Sequence, residues 1–152
     1  NVKLNHLGID PYGNIEYNPT EQHKNIRLDY TNDMKKDAML DFTKDYPEFH
    51  LVCLEDTEFF NRYSDGYPIY DQYKIMLSKY DVVHFDGPHD VASVLNEINF
   101  FHKRRSKECI FVFDDVQSYP HDKVDVYLKH ILQGYELIHS GNRKAVYLNK
   151  SN

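Results

Sequence analysis

Cysteine is scarce in this chain. Cys53 and Cys109 stand in apolar runs, with no CxxC spacing and no Cys/His partner at metal-ligand spacing. That argues against a disulfide framework or a sulfur-held metal, and it predicts reduced thiols in two neighbouring buried strands. Long apolar runs are missing too. No stretch approaches the roughly 20 residues that span a bilayer, and no charged-then-apolar leader opens the chain; a cytoplasmic location is the default expectation. Positive charge is in deficit: 18 Lys and Arg face 24 Asp and Glu, a formal net charge of -6 with His neutral. Such a surface repels phosphates and anionic membranes, so neither nucleic acid nor a membrane is expected as partner, and a basic surface or bound cation suits it better. Self-association into a homo-oligomer stays open. The one basic cluster, Lys103, Arg104, Arg105 and Lys107, falls where a helix should end and complements its dipole. No repeat, low-complexity tract or glycine-rich phosphate loop is visible.

What is present is an ordinary globular composition, 41% hydrophobic and 28% charged over 152 residues, which fits one domain spanning 1–152. Val2 to Asp10 reads as a strand stopped by the Pro11 to Gly13 turn. Thr31, Asn32 or Asp33 can cap a helix to about Tyr46, with Met34, Ala38 and Phe42 on one face. Phe49 to Leu54 reads as a buried strand ending at Glu55, Asp56 and Thr57. Tyr63 to Tyr73 reads as a loop, and Tyr73, Met76 and Leu77 give Asp71 to Lys79 helical spacing.

Tyr80 to Gly87 reads as a strand with a sharp stop, inside which His84 is expected as a core histidine with its hydrogen bonds satisfied. Val91, Val94, Leu95, Ile98 and Phe101 then paint one helical stripe. Cys109 to Phe113 is a continuous apolar run, the mark of a strand buried on both faces of a parallel sheet. A helix near Asp122 to Gln133 stops at Gly134. Tyr135 to His139 and Ala145 to Leu148 flank a hairpin turn. Strands alternating with helices predict the α/β class, with a doubly wound, mostly parallel sheet closed by a C-terminal antiparallel hairpin.

Ligands of such sheets bind outside the carboxyl ends of the strands, where Asp10, Asp56, Asp86, Asp114 and Asp115 all fall. Any one of them reads equally as a cap or a solvated strand end. Five carboxylates on one rim, with few nearby basic residues expected to relieve them, repel one another unless a proton, a cation or a donor-rich ligand joins them.

Tyr80-Asp81-Val82-Val83-His84-Phe85-Asp86-Gly87-Pro88-His89 resembles the Asp-Gly-x-His strand end of class I S-adenosylmethionine-dependent methyltransferases of the cation-dependent O-methyltransferase group, some of which tailor sugars on antibiotics. Phe111-Val112-Phe113-Asp114-Asp115-Val116 is similar to that family's paired-acid strand end, and the C-terminal hairpin to its last two strands. The resemblance covers Val2 to Lys150. It implies a Rossmann-like fold, with Asp86, Asp114 and Asp115 holding Mg²⁺ or another hard divalent cation. It also implies Asp10 on the cofactor ribose, Asp56 and Thr57 beside the adenine, and a small-molecule hydroxyl as acceptor. His89 is a candidate general base, with a polar helix-entry role as its plain alternative. The family's glycine-rich turn has no counterpart, since Gly8 and Gly13 flank Asp10 without forming it. The resemblance therefore implies a first strand preceding Asn1, between the strands ending at Asp10 and Asp86, or a domain that no longer binds the cofactor. Two other functions stay open: a Mg²⁺-dependent hydrolase or phosphotransfer domain, and a non-catalytic methyltransferase-like module.

Overall fold

The computed structural model describes residues 4–14 and 30–150, an α/β arrangement of helices and mixed sheets. These residues form two compact units, one of 4–14 and 30–64, the other of 65–150. No described helix is long and apolar enough to cross a membrane.

In the first unit β1 (His6–Ile9) and β2 (Phe49–Val52) pair in parallel, with Ile9 opposite Val52. Parallel neighbours need a crossover, and α1 (Asn32–Asp45) lies on it. Thr31 caps α1, its hydroxyl accepting from the Met34 N–H at 3.2 Å. Met34 and Phe42 stay about half exposed, although Phe42 meets the Phe49 ring at 5.0 Å. A short helix that spacing did not predict, α2 (Asp56–Arg62), buries Phe59 against Tyr63. Cys53 corrects an expectation: it lies past the last residue of β2, where the Leu54 N–H turns back to the Val52 carbonyl at 3.0 Å, and it is exposed. Cys109 is buried as expected, and burial pushes its thiol up to about 11.

The second unit opens with an antiparallel hairpin, β3 (Tyr67–Tyr70) and β4 (Lys74–Leu77). It replaces both the expected loop at 63–73 and the expected helix at 71–79. Tyr67, Ile69, Tyr70 and Ile75 favour extended backbone, and Ile69 opposite Ile75 forms a cross-strand pair that outweighs the accidental helical spacing. There follow β5 (Tyr80–Phe85), α3 (Val91–His102), β6 (Arg105–Phe113), α4 (His121–Val126), β7 (Tyr135–Ser140) and β8 (Ala145–Lys150). The last expected helix is thus divided: α4 runs into a π-helix over Tyr127–Leu132, stopped by Gln133 and Gly134, both at positive φ.

The sheet order is β5-β6-β8-β7, with β5 and β6 parallel and the other two pairings antiparallel. The hairpin is present as predicted. A single, mostly parallel sheet is not what the described strands form, since β1–β2 and β3–β4 pair in sheets of their own.

One face of the four-stranded sheet carries the core. Val83, Phe85, Phe111, Phe113, Tyr135 and Tyr147 are buried, as are Val94, Ile98, Val124 and Leu128 of the helical segments. Phe85 stacks on Phe113 at 4.5 Å between centroids, so aromatic packing does here what aliphatic layers do elsewhere. Among the described residues the second face is the more open one. Ile110 and Val112 are half-buried and Val82 is 58% exposed, which corrects the reading of the β6 run as buried on both sides. His84 shares that open face with a 48% exposed side chain and is no core histidine. The basic cluster caps α3 as predicted: Arg104 donates to the Phe100 carbonyl at 2.9 Å and Arg105 to that of His102 at 2.6 Å.

Behind the core, His121 lies between the hydroxyls of Tyr119 (3.1 Å) and Tyr147 (3.2 Å). Tyr147 donates to Asp125 at 2.8 Å, and Lys129 pairs with the same carboxylate. Burial lowers the His121 pKa, against the opposing pull of Asp125 and Asp122. A lowered folded-state value means the unfolded chain binds more protons as pH falls through the ordinary histidine value near 6.5, so stability drops there and levels off below the folded value. Tm measured between pH 7 and 5 should fall, and the fall should be shallower in His121→Gln; an unchanged slope in the variant would assign the effect elsewhere.

Candidate metal centre

Asp86 stands one residue beyond β5 and Asp114 one beyond β6. The Asp114 N–H donates to the Phe85 carbonyl at 3.0 Å, which ties the two strand ends together. Successive residues of an extended strand point to opposite faces, so both members of the acid pair can reach one site only if the chain turns. It does so at Asp115, whose φ of +47° is left-handed. The Asp115 N–H donates to Asp114 Oδ1 at 2.9 Å, and the Asp115 carbonyl accepts from the Ser118 N–H at 2.8 Å and hydroxyl at 2.6 Å.

The expected shortage of basic neighbours fails here. β8 pairs with β6 so that Ala145 lies opposite Phe113, which brings the β7–β8 turn to the acids. Lys144 Nζ donates to Asp114 Oδ2 at 2.5 Å. Arg143 donates to Asp115 Oδ1 from Nη2 at 2.7 Å and from Nε at 3.1 Å, and Gln117 donates to that oxygen at 3.2 Å. Lys144 chiefly holds the Asp114 carboxyl below the usual carboxylate range, and Arg143 does the same for Asp115.

Two histidines complete the constellation. His84 Nε2 faces Asp114 Oδ2 at 3.9 Å, and His89 Nε2 faces Asp115 Oδ2 at 3.9 Å. The candidate ligand atoms gather as two groups sharing Asp86, namely His84, Asp86 and Asp114, and Asp86, His89 and Asp115, each with its atoms within 4.8 Å of one another. Asp86, Asp114 and Asp115 therefore do meet at one rim, with Asp114 and Asp115 in different groups. His89 stacks on Tyr119 with 6.2 Å between centroids and 13° between planes. Beside them opens a cleft of about 400 Å³, lined among others by His89, Val91, Leu95, Tyr119 and Lys123.

The cofactor candidates belong to the first unit. Asp10 follows β1, and its N–H donates to the Val52 carbonyl at the end of β2 at 3.1 Å. Asp56 opens α2 with Thr57 next to it. Both acids thus lie at the carboxyl ends of adjacent parallel strands. Asp10 and Asp56 are half-buried, whereas Thr57 is exposed.

Comparison of the chain with protein-family models, curated proteins and solved structures returned no match.

Proposed function

We propose that the protein is an S-adenosylmethionine-dependent O-methyltransferase acting on a small-molecule hydroxyl with the help of a divalent cation. The observation that carries the reading is the order β5-β6-β8-β7, in which an antiparallel β8 separates β6 from β7 while parallel β5 and β6 both end in acids. The resembled family closes its sheet with such a hairpin. A Rossmann-like, doubly wound sheet is the finer form of the proposal, and what supports it is the kind of pairing each unit contains: parallel β1–β2 in the first, parallel β5–β6 and the β7–β8 hairpin in the second.

For the cofactor, Asp10 and Asp56 offer acceptors suited to ribose hydroxyls and to the adenine edge. The amino acid half has no glycine-rich turn to approach. For the cation, Asp86, Asp114 and Asp115 offer oxygen donors, and bound there it would supply Lewis acidity to an acceptor hydroxyl. Asp86 lies at the centre of the arrangement because both groups need it. Arg143 and Lys144 keep the paired acids ionised, and the cleft beside His89 gives the acceptor a partly apolar wall. His89 has two roles open to it, acceptor of the hydroxyl's proton and ligand of the ion.

The sharing of Asp86 between two ligand groups favours a second reading, a two-ion hydrolase or phosphotransfer domain. The ion pairs of Arg143 and Lys144 satisfy the acids without any ion, which is what a non-catalytic module would show. Calorimetric titration with S-adenosylhomocysteine, with and without Mg²⁺, separates the three. The methyltransferase reading expects saturable binding that Asp10→Ala weakens by about 1.5–3 kcal/mol, or roughly ten- to hundredfold in Kd, with an unchanged Tm. Cation binding alone favours the hydrolase, and binding of neither favours the module.

A further inference from the structure

We infer that Asp86, His89 and Asp115 form a mixed nitrogen–oxygen site for one borderline divalent ion of the Mn²⁺, Fe²⁺, Co²⁺ or Zn²⁺ kind, with His89 bound through Nε2. The inference rests on the reading that the acidic rim holds a cation, and it changes which cation and which ligands. Oxygen-only ligation by three aspartates would select Mg²⁺ or Ca²⁺, whereas an imidazole shifts preference toward first-row transition ions.

The first observation is the state of His89. Its Nε2 is fully buried, yet it has no hydrogen-bond partner among the described residues. Buried polar atoms are almost always bonded, so this one calls for an explanation. The carboxylate oxygen facing it, Asp115 Oδ2, stays at 3.9 Å. That is too long for a hydrogen bond, but it lies within the span of two donors on one ion, with bonds of roughly 2.0–2.2 Å to each.

The second observation is the division of labour at Asp115. Its Oδ1 is taken by Arg143 and Gln117, while its Oδ2 faces His89. Bonds of this kind orient a ligating carboxylate. The left-handed turn at Asp115 and the Tyr119 ring lying parallel to His89 fix the remaining geometry. The companion group differs in each respect. His84 is exposed, and Asp114 Oδ2, the oxygen facing it, already accepts from Lys144. An ammonium therefore serves that group, and a single ion is expected in the pair.

The test is titration of the whole chain with Co²⁺ and separately with Mg²⁺, followed by calorimetry and by the visible absorption of Co²⁺. One equivalent of Co²⁺ is expected, bound at least tenfold more tightly than Mg²⁺. His89→Ala should lose tenfold or more in Co²⁺ affinity, and His84→Ala less than threefold. If His89→Ala does not fold, proton spectra of the unaltered chain decide: Co²⁺ should contact-shift one imidazole. Equal affinities for the two ions, or no shifted imidazole, would overturn the inference and leave an oxygen-ligated cation in place. Loss of Co²⁺ in His84→Ala with retention in His89→Ala would overturn it as well. Binding of no divalent ion would overturn both the inference and the cation-assisted reading beneath it.

Discussion

Asp86→Asn should abolish divalent-ion binding while leaving the fold untouched. Asp86 is the one residue common to both ligand groups, so the substitution leaves each of them a single carboxylate. It also removes negative charge from a rim where Arg143 and Lys144 already neutralise Asp115 and Asp114. Deleting a residue that only orients a metal ligand costs about 10–100-fold in affinity, and deleting the shared ligand should cost more. Asp86 is exposed and follows β5, so unfolding by urea should be superimposable on that of the unaltered protein. A Mn²⁺ Kd within threefold of the original would remove Asp86 from any metal site.

Phe111→Ala should be the most damaging change in the core. Its side chain is completely buried and its ring lies 5.1 Å from Phe85 and 5.0 Å from Tyr135. On the neighbouring strands it pairs with Val83 and with Tyr147. Rings on both sides cannot collapse into the space without leaving their own contacts, so the loss should reach about 3–5 kcal/mol. A domain has only about 5–15 kcal/mol in total, so a substantial unfolded population is expected at room temperature. Val82→Ala, on the open face of the same sheet, should lose under about 1 kcal/mol by comparison. Urea midpoints for the two variants that lie together would show that burial is shared differently.

Much of this architecture is written locally. The stripe from Val91 to Phe101 and the apolar run from Cys109 to Phe113 each mark an element through their own periodicity, and both stand where they were read. Asp90 capping α3 through the Ser93 N–H is local chemistry of the same sort. The hairpin of Tyr67 to Leu77 was hidden because Tyr73, Met76 and Leu77 mimic a helical face. Only the cross-strand partner of Ile75, six residues earlier in the chain, shows the difference. His84 misled for a related reason. Alternation tells which residues share a face, but which face meets the helices depends on the rest of the sheet. Asp86, Asp114 and Asp115 were legible as acids at strand ends. Arg143 and Lys144 were not, because the register of β8 on β6 brings them there from 28 and 30 residues away.

The left-handed backbone at Asp115 has a consequence for which amino acids this position can hold. Its conformation admits glycine, asparagine and aspartate readily and resists nearly everything else. Its neighbour Arg143 asks for an anion. Glutamate has the charge without the conformational tolerance, asparagine the tolerance without the charge, and glycine lacks any side chain to offer. Two unrelated demands therefore intersect on a single letter of the twenty, so drift at this site has no neutral neighbour to step to, even though the residue lies near the surface where substitution is ordinarily free.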